Sequence, residues 1–399
     1  MKQRLILIVV LMALVLTGCW NRRELNDLAI AVGFGIDKAD DQYRVSVQVV
    51  DPGEVAANKG VSGRTPVTMY HVTAPTLFEA LRKMTTVSPR KIYSSHLRIF
   101  VIGEEVAKEG IGEVLDLVSR DQEMRTDFYI VVAKGKHTAE EALKILTPIE
   151  KIPANNLFHS LESSARVWAP STPVTLDQLI ADMVSQGKHP VLTGLEIKGD
   201  YEVGQSVANI EKIDNAATLQ YTGLAVFNKD RLVGWLNEEE SKGYNFIQDN
   251  VKSTVGHLVC PGGGKLVLEV IRSQTKLKGK VEKGKPKVEV HSRIEVNVGE
   301  VACQIDLTKI GTINELEKRA EKSVRKLMEQ AVNKVQKQYK VDIFGFGEVI
   351  HREDPTAWKS LKKDWDTHFA KLPVTYQIDV KLRRLGAVGN SFLKEMNKR

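Results

Sequence analysis

The sequence predicts a mixed α/β, α+β protein of several domains: an N-terminal α/β domain, a small middle domain, and a C-terminal antiparallel sheet covered by a long helix. Three observations carry this prediction. Short apolar runs alternate with helix-period segments through the first half of the chain. Strict apolar–polar alternation dominates residues 288–298 and 374–382. A single apolar stripe runs from Ile313 to Val335 at helical spacing. With 399 residues and 42% hydrophobic content, the chain has room for several packed cores at the usual ~100–200 residues per domain.

The first segment is a leader rather than part of a domain. Lys2 and Arg4 precede an unbroken apolar run, Leu5 to Leu16, followed by Thr17-Gly18-Cys19. About 12 apolar residues rise only ~18 Å as a helix, short of a ~30 Å hydrocarbon core. The pattern is therefore that of a cleavable lipoprotein signal over residues 1–18, cut between Gly18 and Cys19. The Cys19 thiol would then carry a diacylglyceryl group, since a single acyl chain holds a protein only marginally. No later run approaches membrane-spanning length, so the rest reads as an extracytoplasmic body tethered by lipid at Cys19.

Domain 19–198 opens with a charged tether and then Leu28 to Ile36, a buried strand. Tyr43, Val45, Val47 and Val49 alternate with polar residues as a half-buried strand, and Val67 to Val72 is a third. Thr76 and Glu79 have capping-box spacing, so a helix begins at Leu77. Leu97 to Ile102 and Phe128 to Ala133 read as buried strands around a helical segment, Val106 to Val118, broken near Gly110. Thr138 and Glu141 repeat the capping box, and helices follow over 155–167 and 176–184.

Polar, glycine-containing residues from Gly199 onward suggest a boundary, with 199–258 as linker and small middle domain. Leu219–Phe227 and Leu232–Leu236 form a strand pair around Asn228-Lys229-Asp230, and Glu238-Glu239-Glu240 suit a helix N-terminus. Domain 259–399 begins at a Cys260-Pro261-Gly262-Gly263-Gly264 turn. Leu266–Gln274 and Val288–Val298 form a long hairpin whose connection is rich in lysine. A helix over 313–339, a tryptophan-bearing helix over 356–369 and a last alternating strand complete the domain.

Chemical signatures are sparse. Gly264-Lys265 lacks both the upstream glycine and the following hydroxyl of a phosphate loop; Val259 and Leu266 occupy those positions. The nine histidines show no paired helical spacing of zinc ligands, and Ser94-Ser95-His96 has no triad partner in local sequence. No catalytic residue, metal site or cofactor is assigned, and the chain does not read as an enzyme. A net charge of +7 suits an anionic surface or an acidic partner but is too weak to argue for nucleic acid. Lys276, Lys278 and Lys280 are the candidate contact. Export permits a disulfide between Cys260 and Cys303, but Cys303 sits in an alternating run, Val301 to Leu307, that favours a buried free thiol on a strand. Whether the two are joined stays open.

Gly18-Cys19-Trp20-Asn21-Arg22-Arg23-Glu24-Leu25-Asn26 resembles the opening of the Ger(x)C lipoproteins, the C subunits of spore germinant receptors. Gly35-Ile36-Asp37, Arg90-Lys91-Ile92, Ser95-His96, Gly223 to Phe227, Gly234-Trp235-Leu236-Asn237, Asp342 to Gly347, Trp358 and Trp365 extend the likeness along the chain. The resemblance implies three mixed α/β domains and a peripheral lipoprotein on the outer face of the spore inner membrane. Its implied partners are a large A subunit and a transporter-like B subunit, both integral to the membrane. Only Cys19 carries over as a functional residue. The alternative from another class is a solute-binding lipoprotein serving a transporter, which requires two similar lobes around a ligand cleft.

Overall fold

A computed structural model describes residues 3–4, 27–51, 65–260 and 263–385. Cys19 and the leader run lie outside the described residues.

The first unit is built from β1 (Leu28–Ala39), β2 (Gln42–Val50), β3 (Val67–Ala74), α1 (Leu77–Lys83), β4 (Lys91–Tyr93), β5 (Ile99–Gly103), α2 (Glu104–Glu109), α3 (Gly112–Arg120) and β6 (Tyr129–Ala133). It continues through α4 (Ala139–Lys144), α5 (Pro153–Val167), α6 (Leu176–Val184), β7 (Val191–Gly199), a short α7 (Tyr201–Gly204), β8 (Ala217–Asn228) and β9 (Arg231–Leu236). Nine strands form one sheet in the order β3-β2-β1-β5-β6-β7-β8-β9, with β4 beside the start of β1. The central pairs β1·β5, β5·β6 and β6·β7 are parallel, and both flanks are antiparallel. Helices cover both faces, which is why the middle strands are continuous apolar runs. α1, α2, α3 and α6 pack on one face around Phe34, Phe100 and Phe128; α4 and α5 pack on the other around Val101, Val131 and Leu143.

The helix starts follow local chemistry. The Thr138–Glu141 capping box is formed, and the expected Thr76 cap accepts from the Glu79 amide. Two further boxes, Thr175–Gln178 and Asn237–Glu240, open α6 and α8 (Glu238–Ile247). α4 gains a second N-terminal partner from the sheet. The buried Asp37 carboxylate accepts from the Ala139 and Glu140 amides at 2.7 and 2.9 Å.

The expected boundary at 199 falls inside this sheet. β7 and β8 pair antiparallel from Val191↔Val226 to Gly199↔Ala217, and β9 returns on β8. Residues 217–236 therefore complete the first sheet rather than a separate middle domain. The polar stretch after Gly199 is the long connection of a strand pair.

The second unit has one sheet, β10 (Thr254–Val259), β11 (Lys265–Glu282), β12 (Lys285–Ala302) and β13 (Val374–Arg384), in that order. β13 runs parallel to β12, so the sheet is mixed and not wholly antiparallel as expected. The long helix α9 (Ile310–Lys334), ending in a π-turn over Val335–Tyr339, lies across one face. Leu316, Ala320, Ala331 and Val335 of its stripe are buried and Val324 and Leu327 half-buried, with Met328 buried beside them. The tryptophan segment is α10 (Phe346–Glu353), α11 (Pro355–Leu361) and α12 (Trp365–Phe369), broken by a 3-10 turn at Lys362–Asp364. Trp358, Leu361, Trp365 and Phe369 are nevertheless all buried, as one face of the predicted helix would require. α9 also closes the outer edge of β13. Glu321 and Glu317 accept from the Val380 and Leu382 amides, and Arg325 donates to the Tyr376 carbonyl.

Two details of the hairpin depart from expectation. The lysine-rich connection is mostly strand: β11 runs through Lys276, Lys278 and Lys280, and the turn is only Lys283-Gly284, both at positive φ as a two-residue hairpin loop demands. Cys260 and Cys303 form a disulfide with an S–S distance of 2.05 Å. The alternation through Val301 and Cys303 misleads because β12 ends at Ala302, which leaves Cys303 to turn toward the end of β10.

Candidate functional site

Surfaces and seams organise the polar chemistry of the described residues. Among the described residues no group of three or more His, Cys, Asp or Glu side chains could hold a metal ion. Ser95 Oγ donates to the Glu123 carbonyl, and His96 lies edge-on to Tyr93. Ser95 and His96 of the run thus hold contacts to Glu123 and Tyr93. No described helix is long and apolar enough to cross a membrane.

The lysine row lies on the uncovered face of β11. Across the hairpin, Lys276 stands opposite His291, Lys278 opposite Glu289, and Lys280 opposite Lys287. Lys280 pairs with Glu289 at 2.9 Å, and Glu289 also meets His291 at 3.3 Å. Lys280 first, then His291, holds the Glu289 carboxyl below its ordinary value. Farther along the face Arg383 pairs with Glu295 at 2.8 Å, and Lys287 with Glu282 at 2.6 Å. This is a solvated sheet face stitched by exposed ion pairs, each contributing little to stability. Lys276 and Lys278 make no ion pair among the described residues.

A second polar constellation joins the two units. Asp342 begins the Asp-Ile-Phe-Gly-Phe-Gly run and is fully buried. Its carboxylate accepts from the Phe344 and Gly347 amides at 3.0 and 2.8 Å and from Trp365 Nε1 at 2.9 Å. Burial pushes its pKa up to about 6 against the pull of these donors. The Asp342 carbonyl accepts from the His189 amide at 2.7 Å. His189 Nδ1 accepts from the Lys229 amide at 2.9 Å, so Nε2 carries the proton and faces Asp366 Oδ1 at 3.2 Å.

Two close approaches complete the seam. A Cβ on Gly187 would stand 2.7 Å from the Gly347 carbonyl carbon, so the two backbones pack directly. The Tyr339 ring lies where a Cβ of Gly234 would be, and its hydroxyl donates to the Trp235 carbonyl at 2.9 Å and accepts from the Trp235 amide at 3.0 Å. Val191, Leu224, Val226 and Leu236 of the first sheet belong to the same apolar cluster as the second sheet and α9. The sequence motifs at Gly234-Trp235 and Asp342–Gly347 are thus the two sides of one joint. His189 and Tyr339 carried no sequence signal of their own, since their partners lie far off in the chain: Lys229 is 40 residues from His189, and Asp366 and Trp235 are more than 100 from His189 and Tyr339.

The first unit begins at Asp27, beside β4. Leu28 pairs with Lys91 and Ala29 with Ile92. Around this corner lie Arg90, Val87 and Phe78, all exposed, with Val87 at 53% and Phe78 at 48%. The Arg82 guanidinium sits 4.9 Å from the Phe78 ring centre.

Comparison with known proteins is consistent along the whole chain. Residues 21–197 match the family model described as spore germination protein N-terminal domain, and residues 222–386 match spore germination B3/GerAC like, C-terminal. Spore germination protein KC of Bacillus subtilis (strain 168) is 34% identical, over 98% of this chain and 97% of the relative. Spore germination protein B3 of the same organism is 25% identical, over 95% and 96%. The crystal structure of the GerBC protein superposes with a TM-score of 0.56 at 20% identity, covering 91% of this chain and 99% of that one.

Proposed function

Because the chain belongs to the GerAC-like family of spore germination proteins, we propose that it is the lipid-anchored C subunit of a spore germinant receptor. In this reading it sits on the outer face of the spore inner membrane and acts by binding the membrane-embedded A and B subunits, without catalysis. The observation that carries the reading is the Gly18-Cys19 site after a short apolar run, placed at the head of a chain that matches its relatives over nearly their full length. A lipid tether confines the body near its partners, so modest interfaces suffice at the resulting effective concentration. Lys276, Lys278 and Lys280 of the hairpin face would be the contact for an acidic partner, Lys280 being shared with Glu289. The solute-binding alternative gains no support: one unit has a sheet covered on both faces and the other a sheet covered on one, unlike two matching lobes around a cleft.

The test is Cys19→Ala in spores. Expected are loss of the acylated N-terminus by mass spectrometry, loss of the protein from the membrane fraction, and a weakened nutrient response. Membrane retention and germination both unchanged at normal protein level would overturn the reading.

A further inference from the structure

We propose that the corner formed by Val87–Lys91 and the exposed side of α1 is the surface that rests on the bilayer, with Val87 and Phe78 at the acyl boundary and Arg82 and Arg90 at anionic headgroups. The inference rests on acylation of Cys19 and asks what that anchor does to orientation. Only Trp20–Asp27 separate Cys19 from Leu28, a reach of at most ~30 Å even fully extended. A compact body of this chain length is about 50 Å across. The tether is therefore shorter than the molecule, and only the surface near Leu28 can meet the membrane.

The groups at that corner fit the neighbour. Leu28 and Lys91 are strand partners, so Arg90 and Pro89 lie next to the point where the tether leaves. Ala29, Ser88, Pro89 and Arg90 line one shared hollow of about 200 Å³. Val87 projects from the turn before β4, and Phe78 stands on the next hollow together with Arg82 and Lys91. Lys91 also pairs with Glu123 at 2.5 Å, which leaves Arg82 and Arg90 as the corner's cations without an ion pair among the described residues. Exposed apolar side chains beside arginines are the composition of an interfacial contact, in which the stems bury and the charged heads meet phosphate. The opposite end of β1 cannot share this role. Eleven residue steps along the strand separate Leu28 from Ala39, about 36 Å at the usual rise.

The experiment uses the full mature lipidated chain in vesicles. An introduced cysteine would be the chain's single free thiol, because Cys260 and Cys303 are joined and Cys19 is acylated in this reading. A fluorophore is placed at Val87→Cys or, as control, at Asp41→Cys beyond the far end of β1, and quenched by a headgroup-labelled lipid. In vesicles of equal parts phosphatidylglycerol and phosphatidylcholine, quenching at 87 should exceed that at 41 by about twofold or more, and Arg82→Glu with Arg90→Glu should reduce the difference. Equal quenching at the two positions in a chain that floats with the vesicles overturns the proposed face. A chain that fails to float even with pure phosphatidylcholine overturns the anchor itself, and the orientation argument with it.

Discussion

The two sheets handle charge in opposite ways. The first is covered on both faces, so β5 is buried at every position and charge enters only where it has a fixed partner. Asp37 is there to cap α4, and Glu140 is there because Arg44 and Lys144 reach it. The second sheet is covered on one face only, and its open face is a lattice of exposed ion pairs. Burial makes each charge in the first sheet specific and costly to disturb, while solvent makes each charge in the second nearly interchangeable. Contact specificity in the second unit must then come from the joint rather than from any one lysine.

Phe100→Ala should break the comparison most severely. The ring packs edge-on between Phe34 and Phe128 at 6.3 and 6.4 Å, and its loss should cost about 3–5 kcal/mol in urea unfolding. Cys303→Ala comes next. The disulfide closes a loop of 43 residues, worth about 3–4 kcal/mol in the chain-entropy picture, so the variant should match the reduced wild type in thermal midpoint.

Titration should separate the two kinds of buried acid. Asp342, raised to about 6 by burial, lends stability that is full below pH 3.8 and is lost as pH rises through about 6, on the order of 2–3 kcal/mol. Glu140 has the opposite sign. Burial opposes its charge, but Arg44 and then Lys144 hold it at about 2, so its contribution is present above pH 4.5 and lost as pH falls toward 2. Urea midpoints measured from pH 4.5 to 8 should fall with rising pH in wild type and flatten in Asp342→Asn. Smallest of all, Lys280→Ala on the open face should leave the melting midpoint within experimental scatter, even though it removes the pair with Glu289.

What the sequence made legible follows the same division. Alternation over Val288–Val298 and Val374–Leu382 reported which residues face the core, because one side of those strands meets water. It could not report direction, and β13 proved parallel. Capping residues announced α4 because Thr138 and Glu141 act within one turn. The boundary at 199 misread a connection as a linker, since nothing local to 199–216 records that Gly199 will pair with Ala217. The disulfide was hidden by apparent strand periodicity that continued past the true end of β12. The joint was half visible: Asp342–Gly347 and Gly234-Trp235 stood out as motifs, but their meeting through Tyr339 and His189 is a property of the packed chain. Cys19 was legible as a motif and lies outside the described residues.

Glu317, Glu321 and Arg325 of α9 occupy main-chain groups of β13 that would otherwise be offered to a neighbour. With the lipid anchor proposed above, this would matter more than in bulk water. Copies confined to a plane meet flank to flank, and a raw strand edge would let them zip into ribbons. A helix whose carboxylates already hold those amides closes this edge of the second sheet to such pairing.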